Sequence, residues 1–270
     1  MIKDSLQHKG LIYELAIRDL KVRYRKPFLG FFWMLIMPLC TAIIYKILFS
    51  DFMHVSSGNY PFFIHLITAL LPWTYFTNSV QGAAGSILGS KNIIKQISFP
   101  KYLLPLSTIL ANLINFFPAI LVLLGFLAAF HIRISGLIIF LPVVILTQTL
   151  LIVGISFAVS SLQVIYRDTE YIIQVLLMIL FFLTPGVYTL EELINKTPSP
   201  FVKIYMLNPL VGIVNLYRIV FIGSYVNNMP KEISFLNTLA WPILCSLAAL
   251  AVGHYVFHKC ESKFSDYLNV

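Results

Sequence analysis

Six long stretches of this chain contain no Asp, Glu, Lys or Arg, and their lengths limit what the chain can fold into. They cover residues 27–45, 60–90, 102–132, 134–166, 171–190 and 233–258. A helix of about 17–25 apolar residues crosses the roughly 30 Å hydrocarbon core of a bilayer. Each stretch is long enough for one such helix, so six membrane spans are the first expectation.

The composition favours a lipid-facing protein over a soluble one. Charged residues make up 11% of the chain and hydrophobic residues 59%, whereas about 25% of a typical soluble domain is charged. A soluble fold of 270 residues could not bury so much apolar surface. The sequence therefore predicts an all-α integral membrane protein, with a single transmembrane domain over residues 1–270.

The positive charges indicate which ends of the spans face the cytoplasm, because Lys and Arg collect on cytoplasmic flanks. Seven of the 19 Lys and Arg residues precede the first span, and the loop over residues 50–59 has none. Three lie between spans two and three, whereas Arg133 is alone between spans three and four. We therefore expect a multi-pass protein with both termini in the cytoplasm.

The six predicted spans are residues 27–49, 60–88, 102–130, 135–165, 171–189 and 235–257. Charged residues and turn residues mark their ends. Residues 1–26 are predicted to form a cytoplasmic, amphipathic interface helix, because Arg18, Lys21 and Arg25 recur at spacings of three and four. Pro27 marks a break before span one. The alternative is a plain cytoplasmic extension of that span.

The apolar segment over residues 200–223 does not fit a seventh span. It carries Lys203, Pro209 and Arg218, and a further crossing would place the basic C-terminal tail outside. Irregular backbone at membrane depth is tolerated only where protein buries it or where it lines a wet cavity. We therefore expect short re-entrant or gate helices on the extracytoplasmic side, between spans five and six.

No residue pattern is typical of an enzyme. The glycines of residues 82–91 have the wrong spacing for a phosphate-binding loop, and no D-x-D motif occurs. His254, His258 and Cys260 are expected to form an interfacial cluster at the end of span six rather than a metal site. The basic residues flank spans, which excludes a nucleic-acid partner. We predict no catalytic residue, no metal and no cofactor bound by this chain.

The loop SKNIIKQISFPKYLLP at residues 90–105 is short, basic and apolar. It predicts a helix from Lys91 to Ser98, capped at Ser90, that displays Ile94 and Phe99 beside Lys95. Apolar side chains on a cytosolic loop indicate docking to a partner. Packing against the neighbouring ends of the spans explains them equally well, and both interpretations stay open at this point.

Several segments resemble ABC-2 type permeases, especially the branch that exports O-antigen, capsule and teichoic acid polysaccharides. RDLKVRYRKPFLGFFWMLIMPL at residues 18–39 is similar to the N-terminal signature of that branch, and NIIKQISFP at residues 92–100 to its coupling helix. YRD at residues 166–168 resembles its second cytoplasmic loop. NPL at residues 208–210, followed by Arg218, resembles the region before its last span.

The resemblance implies a permease subunit of an ABC exporter in the cytoplasmic (inner) membrane of a bacterium. It implies a homodimer, two separate ATP-binding cassette ATPase subunits that bind ATP and Mg, membrane lipids as surroundings and a lipid-linked glycan as substrate. Closure of the ATPases would move the coupling and interface helices and open a channel between the permeases. The alternatives are an ABC-2 exporter of drugs or small lipophilic molecules and an ATP-independent channel.

Four groups of residues follow as candidates. The ATPase-coupling residues are Asn92, Ile94, Lys95, Gln96, Phe99 and Pro100. Lipid headgroups, including a lipid pyrophosphate, would meet Arg18, Lys21, Arg23 and Arg25. The second cytoplasmic loop contributes Tyr166, Arg167 and Asp168. The channel or gate candidates are Phe32, Trp33, Tyr75, Phe181, Phe182, Asn208, Pro209 and Arg218.

Overall fold

The computed structural model describes residues 9–24, 32–55, 60–96, 99–190, 193–194, 197–225, 235–264 and 267, and all regular structure in them is helical. This confirms the all-α part of the predicted fold. The helices are α1 Lys9–Tyr24, α2 Trp33–Tyr45, α3 Phe62–Gly89, α4 Lys91–Gln96, α5 Leu103–Ala129, α6 Leu141–Ile165, α7 Thr169–Phe182, α8 Ser199–Met206, α9 Pro209–Phe221 and α10 Phe235–Glu261. A π-helical segment, Lys46–Phe52, extends α2, and a 3-10 segment, Gly136–Phe140, leads into α6.

Helices long and apolar enough to cross a membrane are present, as the composition predicts. In the described part of the chain four segments qualify, and they are Leu35–Phe52, Leu103–Ala129, Gly136–Ile165 and Thr238–Glu261. A fifth would be the pair Pro200–Met206 and Pro209–Phe221, taken together across a bend of 79°. These helices are those of a multi-pass membrane protein, and the count of six spans stays a prediction.

The two remaining predicted spans correspond to α3 and α7. Helix α3 has 28 residues, but Thr74, Asn78 and Gln81 interrupt its apolar surface. Helix α7 has 14 residues and ends at Phe182, seven residues before the predicted end of span five. Turns follow over residues 183–188, because Pro185 disfavours helical backbone at the residue before it and has no N–H of its own.

Several predicted bounds extend past the described residues. The N-terminal helix is present as α1, but residues 1–8 and 25–31, including Arg25 and Pro27, lie outside the described ranges. The loop helix begins at Lys91 as expected and is described to Gln96, and residues 97–98 lie outside the description. The bent pair α8–α9 occupies the segment predicted to hold gate helices.

The main apolar core lies between α3, α5, α6 and α9. Phe76, Phe116, Ile152 and Tyr217 represent these four helices in it, and each is at most 3% exposed. Helix α10 makes its most extensive contact with α6. That contact depends on glycine, because a Cβ atom on Gly253 would overlap the backbone carbonyl of Gly154. The two backbones therefore touch directly.

Candidate functional site

A groove of about 610 Å³ runs between α2, α3 and α7. Helical spacing explains its lining, because residues three, four, seven and eight apart share one face of a helix. Helix α2 contributes Trp33, Met37, Pro38, Thr41 and Tyr45; α3 contributes Leu70, Trp73, Thr74, Thr77, Asn78 and Gln81; α7 contributes Gln174, Leu177, Met178, Phe181 and Phe182. The groove is therefore built by one face of each helix.

Aromatic rings form a continuous group in this groove, with Phe181 at its centre. The Phe181 ring centroid lies 5.4 Å from that of Trp73, 5.8 Å from that of Tyr45 and 5.3 Å from that of Phe182. Rings in contact at these distances hold one another in place. Flat, fixed aromatic surfaces of this kind stack against the C–H faces of sugar rings.

The polar groups of the lining are all uncharged. Thr41, Thr74 and Thr77 donate their hydroxyl hydrogens to carbonyls of their own helices, at 2.9, 2.7 and 3.1 Å. The side-chain amides of Asn78, Gln81 and Gln174 make no hydrogen bond to another described residue. No Asp, Glu, Lys, Arg or His belongs to the described lining. The groove thus combines aromatic faces with free amides, which suits a hydroxyl-rich, uncharged ligand.

The structure brings three of the predicted channel residues to this groove, namely Trp33, Phe181 and Phe182. Phe32 is 64% exposed and lies outside the lining. Tyr75 is also outside it: its ring stacks on Phe116 at 5.0 Å, and its hydroxyl lies 3.0 Å from that of Thr149. Two positions along a helix correspond to about 200° of rotation, so Tyr75 faces the core whereas Trp73 faces the groove.

The sequence interpretation missed most of the groove, including Tyr45 and the three free amides. The signal that could have found them is the spacing of polar residues in an otherwise apolar helix. Thr74, Asn78 and Gln81 are separated by four and three residues and adjoin Trp73. They therefore mark a single polar and aromatic face on α3.

We use "coupling end" for the end of the bundle that carries α4, and "far end" for the opposite end. At the far end, Arg218 of α9 is completely buried. Its Nη2 atom donates to the carbonyl of Gly186 at 3.2 Å and to that of His65 at 3.4 Å. Its Nε and Nη1 atoms have no hydrogen-bond partner among the residues that the structure describes. Arg218 therefore links α9 to α3 and to the turn that follows α7.

His65 and Asn208 complete these far-end contacts. The Nδ1 atom of His65 lies 3.1 Å from the Tyr60 hydroxyl and its Nε2 atom 3.2 Å from the Tyr188 carbonyl. The Asn208 side chain accepts from the amide of Leu210 at 3.0 Å and donates to the carbonyl of Leu183 at 3.0 Å. Asn208 thus caps α9, with Pro209 at the first helical position, and ties it to the end of α7.

The coupling end contains a separate apolar cluster. Its buried members come from α1, α3, α5, α6, α10 and the tail, and they include Leu15, Ile87, Phe157, Phe257 and Phe264. Ile94 and Phe99 pack against this cluster, so the interpretation that these residues contact neighbouring helix ends is confirmed for them. The loop is thereby attached to the first and last helices of the chain.

Other predicted coupling residues face solvent. Asn92, Lys95 and Gln96 are exposed, and Pro100 is half-buried. Tyr166, Arg167 and Asp168 are also exposed, on a turn held by Gln163, whose Nε2 atom donates to the Arg167 carbonyl at 3.1 Å. These exposed groups lie at the same end of the bundle, where a partner can reach them. Their role in docking stays a prediction.

Helix α1 packs mainly on α5. Arg18 is half-buried and pairs with the Asp19 carboxylate at 2.8 Å, and Lys21 is exposed. The side chain of Arg23 and all of Arg25 lie outside the described residues. No group of three His, Cys, Asp or Glu side chains in the described ranges could hold a metal ion.

The helices of membrane length are those of a multi-pass membrane protein, and the groove lies beside them. A family model described as "ABC-2 type transporter" matches residues 10–222, and the chain belongs to that family. Its members are transport permeases rather than enzymes.

Curated relatives match the chain almost from end to end. The O-antigen export system permease protein RfbA of Myxococcus xanthus is 29% identical over 98% of both chains. A protein of the same name from Klebsiella pneumoniae is 29% identical over 96% of both chains. The polysialic acid transport protein KpsM of Escherichia coli is 24% identical over 94% of both chains. All three are therefore similar in length and extent to this chain.

Proposed function

We propose that this chain is the membrane-spanning subunit of an ABC exporter that moves a lipid-linked polysaccharide across the cytoplasmic membrane. The observation that carries the proposal is the likeness over 98% of the chain to a permease named for O-antigen export. The uncharged aromatic groove supports it, because a polymer of sugar rings offers C–H faces to Trp73 and Phe181 and hydroxyls to the free amides.

The working unit is a homodimer, and the groove is one wall of its channel. Exposed apolar side chains on two of the three groove-forming helices support this assembly, since Ile44 of α2 is 54% exposed and Ile172, Val175 and Ile179 of α7 are each 51–58% exposed. A second copy placed against α2 and α7 would cover these side chains and enclose the groove. Oxidative cross-linking of an Ile179→Cys variant with its natural cysteines replaced is expected to give a dimer band, and the same change at exposed Leu121 on α5 is not.

ATP and Mg bind to two ATPase partners at the coupling end, which is cytoplasmic. ATPase closure moves α4 through its exposed residues, including Lys95 and Gln96, and the apolar cluster passes this motion to α1 and α10. The α8–α9 pair and its Arg218 contacts form the outer gate. Copurification of a separate ATPase in equal number supports this assembly, whereas a functional complex without any ATPase would leave only a channel.

Removal of the chain from its host tests the substrate. Lipid-linked glycan should accumulate on the cytoplasmic side while surface glycan disappears, and the wild-type chain supplied in trans should restore export. Normal surface glycan in a host without a duplicate, together with new sensitivity to a small toxic compound, would instead assign the chain to drug export.

Substitutions in the groove test the path through the subunit. Phe181→Ala removes the central ring, and Phe181→Leu keeps bulk without an aromatic face. Both should reduce surface glycan by several-fold at unchanged ATPase assembly, since a lost stacking contact is worth about 0.5–1.5 kcal/mol. Phe117→Ala, at a 52% exposed ring of α5 outside the groove, is the matched control and should export normally.

A further inference from the structure

A second pocket, of about 600 Å³, lies at the far end of the bundle and is separate from the groove. Three connecting segments line it. They are the loop over residues 130–136 between α5 and α6, Tyr60 and Pro61 before α3, and Gly223 and Ser224 after α9. The pocket therefore adjoins the residues that leave the proposed gate helix.

The loop that forms most of the pocket is held by backbone hydrogen bonds. The amide of Ile132 donates to the Leu127 carbonyl at 2.9 Å, and the amide of Gly223 donates to the Arg133 carbonyl at 3.0 Å. A Cβ atom on Gly223 would stand 3.1 Å from that same carbonyl, so a residue without a side chain permits this close approach. A site fixed in this way loses little conformational freedom when a ligand binds.

Arg133 gives the pocket a cationic group. It is exposed and pairs with no carboxylate in the described part of the chain. It is also the lone basic residue of its short loop, on the side where the positive-inside distribution leaves few charges. An unpaired guanidinium presents a fork of N–H donors that binds carboxylate or phosphate oxygens in a bidentate manner.

His131 stands beside Arg133 in the lining with a left-handed backbone, at φ 53°. This conformation costs a residue other than glycine about 1–2 kcal/mol. Glycine or asparagine would adopt this backbone conformation more favourably, so a histidine at this position lowers the local conformational stability. A second hydrogen-bonding side chain beside the guanidinium is consistent with a ligand at this point.

We propose that this pocket is an extracytoplasmic binding site for an oxyanion, the carboxylate or phosphate of an acidic sugar unit in the exported polymer. The inference rests on the proposed export function. The groove offers uncharged groups to the polymer, whereas the pocket beyond α9 offers Arg133 and His131. The phosphate of an outer-leaflet phospholipid has the same chemistry, so the test must distinguish a polymer from a lipid.

The test uses the full-length protein in phosphatidylcholine nanodiscs without ATPase, with ligand binding measured by saturation-transfer NMR. Tri-galacturonate should bind, and the neutral trisaccharide maltotriose should bind much more weakly. Arg133→Gln should weaken tri-galacturonate binding about tenfold, the loss expected for one charge-assisted contact. Arg133→Lys should bind with intermediate affinity. Lys203→Gln, at an exposed cation of α8 outside the pocket, should leave binding unchanged.

Three outcomes would overturn the assignment. Equal binding of maltotriose and tri-galacturonate would remove the role of charge, and unchanged affinity in a folded Arg133→Gln variant would remove the role of the guanidinium. Loss of tri-galacturonate binding to the wild-type protein when phosphatidylglycerol enters the nanodisc would assign the pocket to a lipid phosphate. Because this assay needs no transport, its failure leaves the export proposal intact, and failed export leaves the binding result intact.

Discussion

The two ends of the bundle are held together by different interactions. At the coupling end, apolar side chains such as Leu15, Phe99 and Phe257 share one cluster. At the far end, Arg218, His65 and Asn208 bind backbone carbonyls at distances of 3.0–3.4 Å. Apolar contacts are non-directional and tolerate small displacements, whereas hydrogen bonds weaken steeply when their geometry changes. The coupling end therefore tolerates small displacements, whereas the far end favours one fixed arrangement.

The contacts of Arg218 show most clearly why α9 could separate from the turn after α7. A buried guanidinium that keeps two donor atoms unpartnered is stabilised much less than one paired with a carboxylate. Its two carbonyl contacts hold α9 in place without a large energetic advantage. In the proposed gate, a small input of free energy would therefore suffice to separate α9 from the turn after α7.

Cysteine labelling gives an all-or-none test of which end faces outward. In a chain whose three cysteines are replaced by serine, Met53→Cys at the far end should react with an impermeant thiol reagent added to intact cells. Ser262→Cys at the coupling end should react only after the membrane is opened. Both positions are exposed, so access decides the result. The reverse pattern would exchange the assignments of coupling end and gate.

Substitutions in the coupling loop should abolish export. Lys95→Glu changes an exposed charge, so membrane insertion and thermal stability should match the wild-type chain while ATPase stimulation is lost. Phe99→Ala should also stop export, and it should lower stability because the ring packs against the apolar cluster. Normal transport by both variants, measured as surface glycan, would show that the ATPase docks elsewhere.

Replacement of Arg218 should separate stability from gating. Arg218→Met removes a buried charge but keeps a long apolar side chain, so the melting temperature should be unchanged or higher. Loss of the contacts to Gly186 and His65 should leave the far end poorly closed, and dye leakage into cells should rise by about tenfold, the change expected for about 1.4 kcal/mol of lost closure energy. Lys203→Met on exposed α8 is the control. A destabilised variant without leakage would make Arg218 a purely structural residue.

Asn208 offers a smaller effect at the same end. Asn208→Ala removes the cap of α9 and the contact to the Leu183 carbonyl, at a cost of about 1 kcal/mol. The melting temperature should fall by about 2–4 °C. Asn208→Asp keeps the capping acceptor but loses the amide donor, so it should recover most of this loss. If the aspartate variant is as unstable as the alanine variant, the contact to Leu183 is the one that matters.

The sequence predicted the helical class and the helix that begins at Lys91, because both depend on local composition. Uncharged stretches of membrane length become helices, as in α5 and α6, and α5 continues through Pro118. The sequence also contains a signal for the end of α7, because Thr184 and Pro185 follow its last turn. The buried position of α9 could not be predicted from local composition. Its apolar residues and Arg218 are all buried by neighbours that are distant in the chain.

The groove could be predicted only in part, because a helix pattern identifies a face without identifying what that face contacts. Trp33, Phe181 and Phe182 were candidates as aromatic residues within spans, and all three line the groove. Tyr75 satisfied the same criterion and faces the core. The contacts of Phe181 with Tyr45 and Trp73 join three helices, and such long-range contacts leave no signature in a single sequence.

The glycine contact between α6 and α10 has a consequence for biosynthesis. Gly154 lies in the middle of the chain, whereas Gly253 is 17 residues from its end. A ribosome therefore completes α6 long before the helix that fits against it exists, and the most extensive helix contact of the subunit forms last. Until then the small-residue face of α6 is uncovered in the bilayer. A chain truncated before residue 253 should be inserted normally and then degraded.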